Sequence, residues 1–374
     1  MSCCLVFACL AVGADPAAAA AARQYAAALA EATAHLDAGR LAAARAKLTG
    51  LPTDGFEFAY LQARLAAGTE AQPAPDLIRT APAPKGVEVR YAALNPVSRR
   101  LAYGCRDGKV RVYDLAGGEP TELGDGTHGV VWSLAYSRDG KTLVVGHEDG
   151  TVGVWDAATG EARGGFATGT KWAVRELAVA PDGSAAVAEG QKELQLWSLA
   201  GAEPVKVAAV GERYTFGEGL AFSPVGDRLA TGGMFDVLLF DAKTGLKQSD
   251  FRHASYTMGL EFSPDGKRVA SAPRGNVNRF LSVFELDGTE VWRVGPLPAY
   301  TDGLAFTPDG KRLVATRTDR TVQLYDGTTG VVLLEWKRPA NVAKPATAAD
   351  GRLFGWNQPD GFRFIDLGPA PPGR

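Results

Sequence analysis

The chain has 374 residues, 46% hydrophobic and 22% charged, an ordinary balance for a folded soluble protein and one that excludes extended disorder. Its 40 basic and 42 acidic residues are mixed along the chain, for a formal charge of −2. No basic stripe is available to neutralise phosphates, so nucleic acid is excluded as a first partner. The 45 glycines against 3 methionines favour many tight turns over long helices.

The chain opens on an apolar run from Cys3 to Val12 that is too short to span a bilayer. Val12-Gly13-Ala14 places small residues before Asp15, so residues 1–14 are read as a cleaved signal peptide, and an exported, periplasmic or extracytoplasmic protein is expected. No Lys or Arg precedes the run; without a signal the protein would be cytoplasmic. Val6-Phe7-Ala8-Cys9 partly resembles a bacterial lipobox, with Phe7 departing from it, which makes a lipidated Cys9 the alternative. Beyond the leader no stretch reaches the roughly 18 unbroken apolar residues of a spanning helix. Cys105 is the one cysteine left, so no internal disulfide can form.

Residues 15–68 change character. Ala17 to Ala22, Ala26 to Ala28 and Ala42 to Ala44 are strong helix formers, and Asp37-Ala38-Gly39 and Leu51-Pro52 interrupt them. A helical hairpin follows, plus a third helix that Asp54 can cap and that carries Phe56, Phe58, Tyr60 and Leu61. Gly39, Leu41, Ala44 and Leu48 followed by Pro52 partly resemble the second half of a tetratricopeptide repeat. A single such unit cannot bury its own apolar face, so packing on the neighbouring domain is expected. Residues 69–86 read as a linker with a closing strand, for which Leu77-Ile78-Arg79-Thr80 is the candidate.

From residue 87 to 368 one pattern recurs seven times, before a short tail at 369–374. The Pro-Asp-Gly turn or its variants begins at Pro96, Arg138, Pro181, Pro224, Pro264, Pro308 and Ala349, with gaps of 42, 43, 43, 40, 44 and 41 residues. A second mark, an apolar or aromatic residue usually followed by an acid, keeps the same phase at Tyr113, Trp155, Trp197, Phe240, Phe284, Tyr325 and Ile365. Between them the text alternates as strands do, as in Lys141 to Val145 and Thr151 to Trp155 around the turn at Glu148-Asp149-Gly150.

This period resembles the WD-repeat family, whose units of roughly 40 to 45 residues each form one four-stranded propeller blade. The resemblance implies an all-β fold: a seven-bladed β-propeller behind a small N-terminal α-helical segment. It is most specific in the blades ending at Trp155 and Tyr325, where Asp149 and Asp319 lie six residues before the aromatic. The family's Gly-His pair survives only as Arg252-His253, with Gly126-Thr127 and Gly169-Thr170 in its place elsewhere. Few blades can then form the family's Asp-His-Ser/Thr-Trp network, and stability is expected from stacked apolar faces. The last blade lacks an outer strand, which the segment at 77–80 is expected to supply by pairing beside Phe362 to Asp366.

An enzyme would need converging acids, bases or metal ligands. His35, His128, His147 and His253 show no metal-ligand spacing, the Asp-Gly pairs are turn chemistry, and neither a Gly-x-Ser-x-Gly elbow nor a phosphate loop is present. His147 reads as a surface turn residue. No catalytic residue, metal or cofactor is therefore assigned. The segments entering the inner strands of the later blades echo one another: Tyr214-Thr215-Phe216, Tyr256-Thr257-Met258-Gly259 and Tyr300-Thr301-Asp302-Gly303. In a propeller these converge on the channel mouth, together with Trp172, on the side of the turns at Asp107, Asp149 and Asp319. Gly219, Gly259 and Gly303 suit an inner strand where backbones crowd.

Aromatics on rigid loops anchor protein interfaces. Trp172, Tyr214, Phe216, Tyr256, Tyr300 and Arg175 are thus the candidate binding residues of a monomeric, non-enzymatic scaffold for a protein or peptide partner. Packing of the same aromatics between blades is the competing reading. The alternative function is a small-molecule-binding or hydrolytic propeller using Arg175, Glu218, Glu261 and Asp302 at the mouth. A third site would be the helical aromatics Phe56, Phe58 and Tyr60.

Overall fold

Asp15 caps the first helix, α1 (Pro16–Asp37): its Oδ1 accepts from the Ala17 N–H at 3.0 Å, and Pro16 supplies a fixed φ in the first turn. Gly39 turns the chain into α2 (Leu41–Leu48), and α3 (Phe56–Ala67) completes the helical segment. This computed structural model describes residues 15–53, 56–67, 79–83, 87–189, 194–201, 203–210, 219–233, 235–252, 256–274, 279–337, 345–347, 353–358 and 361–366. The leader at 1–14 with Cys9, the capping Asp54 and the tail at 369–374 lie outside them. No helix among the described residues is long and apolar enough to cross a membrane.

The described strands form seven four-stranded antiparallel sheets. Six use consecutive strands and cover residues 89–123, 131–167, 177–210, 220–252, 256–294 and 301–337. The seventh takes three strands from 345–366 and its outer strand from the other end of the chain, Arg79–Pro82. That strand pairs Arg79 with Phe364 and Pro82 with Gly361. Leu77 and Ile78 lie outside the described residues. Tyr103 in the first sheet donates its hydroxyl to the Ala81 carbonyl, tying the closing strand across the last-to-first interface.

Each innermost strand touches the next, and Pro345–Thr347 touches Val89–Leu94, so the sheets close into a ring about a channel. One apolar cluster fills each interface between neighbouring sheets. Trp292, Leu304 and Tyr325 pack between the fifth and sixth sheets, and Leu101, Tyr103 and Phe362 between the seventh and first. Burial of flat apolar faces on both sides is what units this small need for stability. Within the hairpins, Ser137, Ser263 and Thr307 donate their hydroxyls to Asp139, Asp265 and Asp309 of the following turn, each at 2.6 Å. The same oxygens accept the N–H of Thr142, Arg268 and Arg312, closing the hairpins.

The interface between the sixth and seventh sheets extends outward into the helices. Leu29, Ala32, Leu36, Leu48, Tyr60 and Leu61 join Val322, Leu324, Leu333, Trp336 and Ile365 in one buried cluster, and Tyr60 meets Trp336 edge-on at 5.8 Å. Phe58 is half-buried against it. Within this apolar seam Glu57, fully buried, takes the Arg312 Nε at 3.0 Å and the Tyr25 hydroxyl at 3.0 Å. Burial, then the Glu57 charge, pushes the Tyr25 phenol above its ordinary range, so it remains a donor.

Removing one partner of a buried ion pair strands the other charge, at a cost of about 3–5 kcal/mol. Glu57→Ala is therefore expected to lower the unfolding free energy measured in urea by that order, and with it the midpoint, and Glu57→Leu with Arg312→Leu by markedly less. A Glu57→Ala midpoint equal to that of the native chain would show that the pair contributes nothing.

The turn aspartates predict a pH dependence. The Arg111 guanidinium holds Asp107 below its ordinary 3.8, and hydroxyls from Ser184, Thr244 and Ser263 do the same for Asp182, Asp241 and Asp265. Each contribution is complete above the unfolded value near 3.8 and is lost as pH falls through the lower folded value. Thermal midpoints should be flat with respect to these groups from neutrality to about pH 4 and fall below it; a midpoint that rises on acidification to pH 3 would contradict this.

Candidate partner-binding mouth

The turns between second and third strands and the segments entering the inner strands meet at one end of the ring. Arg106 N bonds Glu88 O at 2.9 Å, Glu148 N bonds Val130 O at 2.9 Å, and Thr318 N bonds Tyr300 O at 2.9 Å. Four inner strands carry an irregularity at this end, where one extra residue bulges from the ladder: Arg90, Trp132, Met258 and Asp302. A bulge re-aims a side chain, and the side chains concerned here are those of Arg90 and Trp132. Arg175 occupies the same place in the third repeat, because Arg90, Trp132 and Arg175 each lie six residues before the first residue of their turn triplet.

Trp132 is the centre of this arrangement. The Arg90 guanidinium lies 5.0 Å and that of Arg175 5.1 Å from its ring centre, one contributed by each neighbouring sheet. Its indole Nε1 is buried with no hydrogen-bond partner among the described residues, so packing and the two cations hold the ring. The sequence reading reached Arg175 but missed Arg90 and Trp132, although the constant offset from the triplet marks all three.

Of the other candidate residues, Trp172 stands out at 57% exposure on the segment entering the third sheet. Tyr300 is half-buried, with the Arg279 guanidinium 5.9 Å from its ring centre. Tyr256 begins the strand Tyr256–Phe262, and Tyr214 and Phe216 lie outside the described residues, as does Glu218. Phe235, 49% exposed beside the turn after Gly233, joins the same face and was missed because its repeat is degenerate there. A Cβ on Gly219 would stand 2.9 Å from Leu260 Cβ of the next inner strand, and one on Gly259 would stand 3.2 Å from Leu304 Cγ. Crowding around the axis is the reason for both glycines.

His147 is not the surface turn residue its spacing implied: it ends the strand Thr142–His147 and is buried. Burial, then the neighbouring His128, lowers its pKa and keeps it neutral. His128 itself bonds Asp149 Oδ2 through Nδ1 at 2.8 Å, one residue beyond the Gly126-Thr127 position. Longer polar side chains take over elsewhere, with Gln195 bonding Trp197 Nε1 and the Thr168 carbonyl. Among the described residues no three His, Cys, Asp or Glu side chains group as metal ligands. The mouth offers guanidinium N–H groups, positive charge and aromatic surface, the means of holding a ligand.

A ring of four-stranded sheets closed by a strand from the other terminus defines a β-propeller. Two of its repeats, residues 121–156 and 301–326, match the family model described as WD domain, G-beta repeat, so this β-propeller carries WD repeats. Over 203 residues it is 27% identical to periodic tryptophan protein 2 of Arabidopsis thaliana, covering 53% of this chain and 22% of that protein. Over 125 residues it is 29% identical to the guanine nucleotide-binding protein subunit beta of Nicotiana tabacum, covering 31% and 33%. The chain thus spans no more than a third of either relative's length in the match. A chain in the crystal structure of the mitotic checkpoint complex is similar in fold, with a TM-score of 0.65 at 17% identity, covering 77% of this chain and 93% of that one.

The exposure pattern is directly measurable. Trp172→Phe should remove most of the red-shifted, acrylamide-accessible tryptophan emission, whereas Trp292→Phe, at a fully buried position, should leave that component intact. Equal quenching before and after Trp172→Phe would place that indole inside the fold.

Proposed function

We propose that this propeller is a non-enzymatic interaction module that holds a protein or peptide partner on its mouth face. The observation that carries the reading is Trp172, a large aromatic left 57% exposed on a rigid ring. Exposed aromatics of this kind supply much of the energy of protein interfaces, about 2 kcal/mol or more each when buried by a partner. Phe235, Tyr300 and Arg175 widen the same surface. The helical aromatics favour it as well: Tyr60 is consumed in docking α3 on the sixth sheet and Phe58 is half-covered there. Two likenesses agree in kind, since one relative is by name a subunit and one similar structure is by title a complex. The leader reading at 1–14 supports placing this module outside the cytoplasm.

The test is recovery of partner from the native source with the full chain as bait. Trp172→Ala combined with Phe235→Ala should reduce recovery at least tenfold, while Val205→Asp, on the outer strand of the third sheet, should leave it unchanged. Undiminished recovery with the double variant would exclude the mouth face.

A further inference from the structure

Two guanidiniums converge on one indole at the mouth, Arg90 at 5.0 Å and Arg175 at 5.1 Å from the Trp132 ring centre. Like charges gathered in this way repel unless a counter-charge is close. The carboxylate at hand is Glu88, and it is shared: its Oε2 accepts from Arg106 at 2.9 Å, and its Oε1 lies 3.6 Å from Arg90. Arg175 has no carboxylate within ion-pair distance among the described residues. Arg90 and Arg106 therefore share the one carboxylate of Glu88, and neither stacked guanidinium has a carboxylate to itself among the described residues.

The stacking has a second consequence. A guanidinium resting against an aromatic ring loses conformational freedom before any ligand arrives, yet keeps the N–H groups of its edge available for pairing. A guanidinium fork matches a carboxylate in plane and in spacing. Glu148 and Asp149 stand exposed on the same face and would repel a dianionic phosphate more strongly than a singly charged carboxylate.

We propose that Arg90, Trp132 and Arg175 form a receptor for the carboxylate of an acidic peptide segment, with the arginines as donors and the indole as their platform. This rests on the mouth-face reading and assigns the partner a chemistry: an Asp- or Glu-bearing segment that enters the channel mouth.

The probe is a fluorescein-labelled hexaglutamate peptide, followed by anisotropy against the full chain at low salt. It should bind at least tenfold more tightly than hexaserine or hexalysine, and raising the salt should weaken it. Arg90→Gln with Arg175→Gln should weaken binding at least tenfold, and Trp132→Leu, which removes the platform and keeps both charges, should weaken it less. Val205→Ser, on the outer strand of the third sheet, should bind hexaglutamate as the native chain does. Hexaglutamate binding no better than hexaserine, binding unchanged in the double arginine variant, or preferential binding of a hexaphosphoserine peptide would each overturn the proposal. The first and third comparisons use the unmodified chain, so a misfolded variant cannot rescue it. Loss of partner recovery in the Trp172 and Phe235 variant without hexaglutamate binding would sink the carboxylate receptor and leave the mouth-face function standing.

Discussion

Everything in this molecule depends on flat sheets hiding both apolar faces against their neighbours. A four-stranded sheet of about 40 residues cannot bury its faces alone. Only a closed circle leaves no terminal face, and here closure is made by non-neighbouring parts of the chain. Arg79–Pro82 supplies the outer strand of the last sheet, and Tyr103 anchors that strand to the first. The strand at Arg79–Pro82 and the strands at 345–366 are thereby held together.

The helical segment belongs to the same logic. It is docked where the sixth and seventh sheets meet, continuing their shared apolar cluster outward over Leu333, Leu334 and Trp336. Glu57 and Arg312, 255 residues apart in sequence, meet inside this seam. A buried ion pair is a poor source of net stability but a strict condition on geometry, because either charge alone would be costly there. It ties the helices to the sixth sheet.

Much of the architecture was legible because two marks keep one phase. The Pro-Asp-Gly triplet demands a hairpin turn and the aromatic-acid pair ends a strand, so their common period of about 42 residues reports the sheet count directly. The site was legible only in part. Trp172 and Arg175 were found because they sit in a segment whose later counterparts echo one another. Arg90 and Trp132 were overlooked because only their constant six-residue offset from the turn triplet marks them, and the strand text around each looks ordinary. His147 was misplaced because the turn after it is exposed, whereas its own side chain is buried beside Trp155.

By itself the sequence determined the repeat, the helical start and the chemistry of the turns, all of which are local and periodic and need no partner to be read. Only the tertiary structure decided which repeats stand side by side around the axis, and so which side chains from separate sheets share the mouth. Arg90, Trp132 and Arg175 are some 40 residues apart along the chain yet about 5 Å apart in contact. Ring closure brings them together, since radial stacking converts one position per repeat into one circle of neighbours.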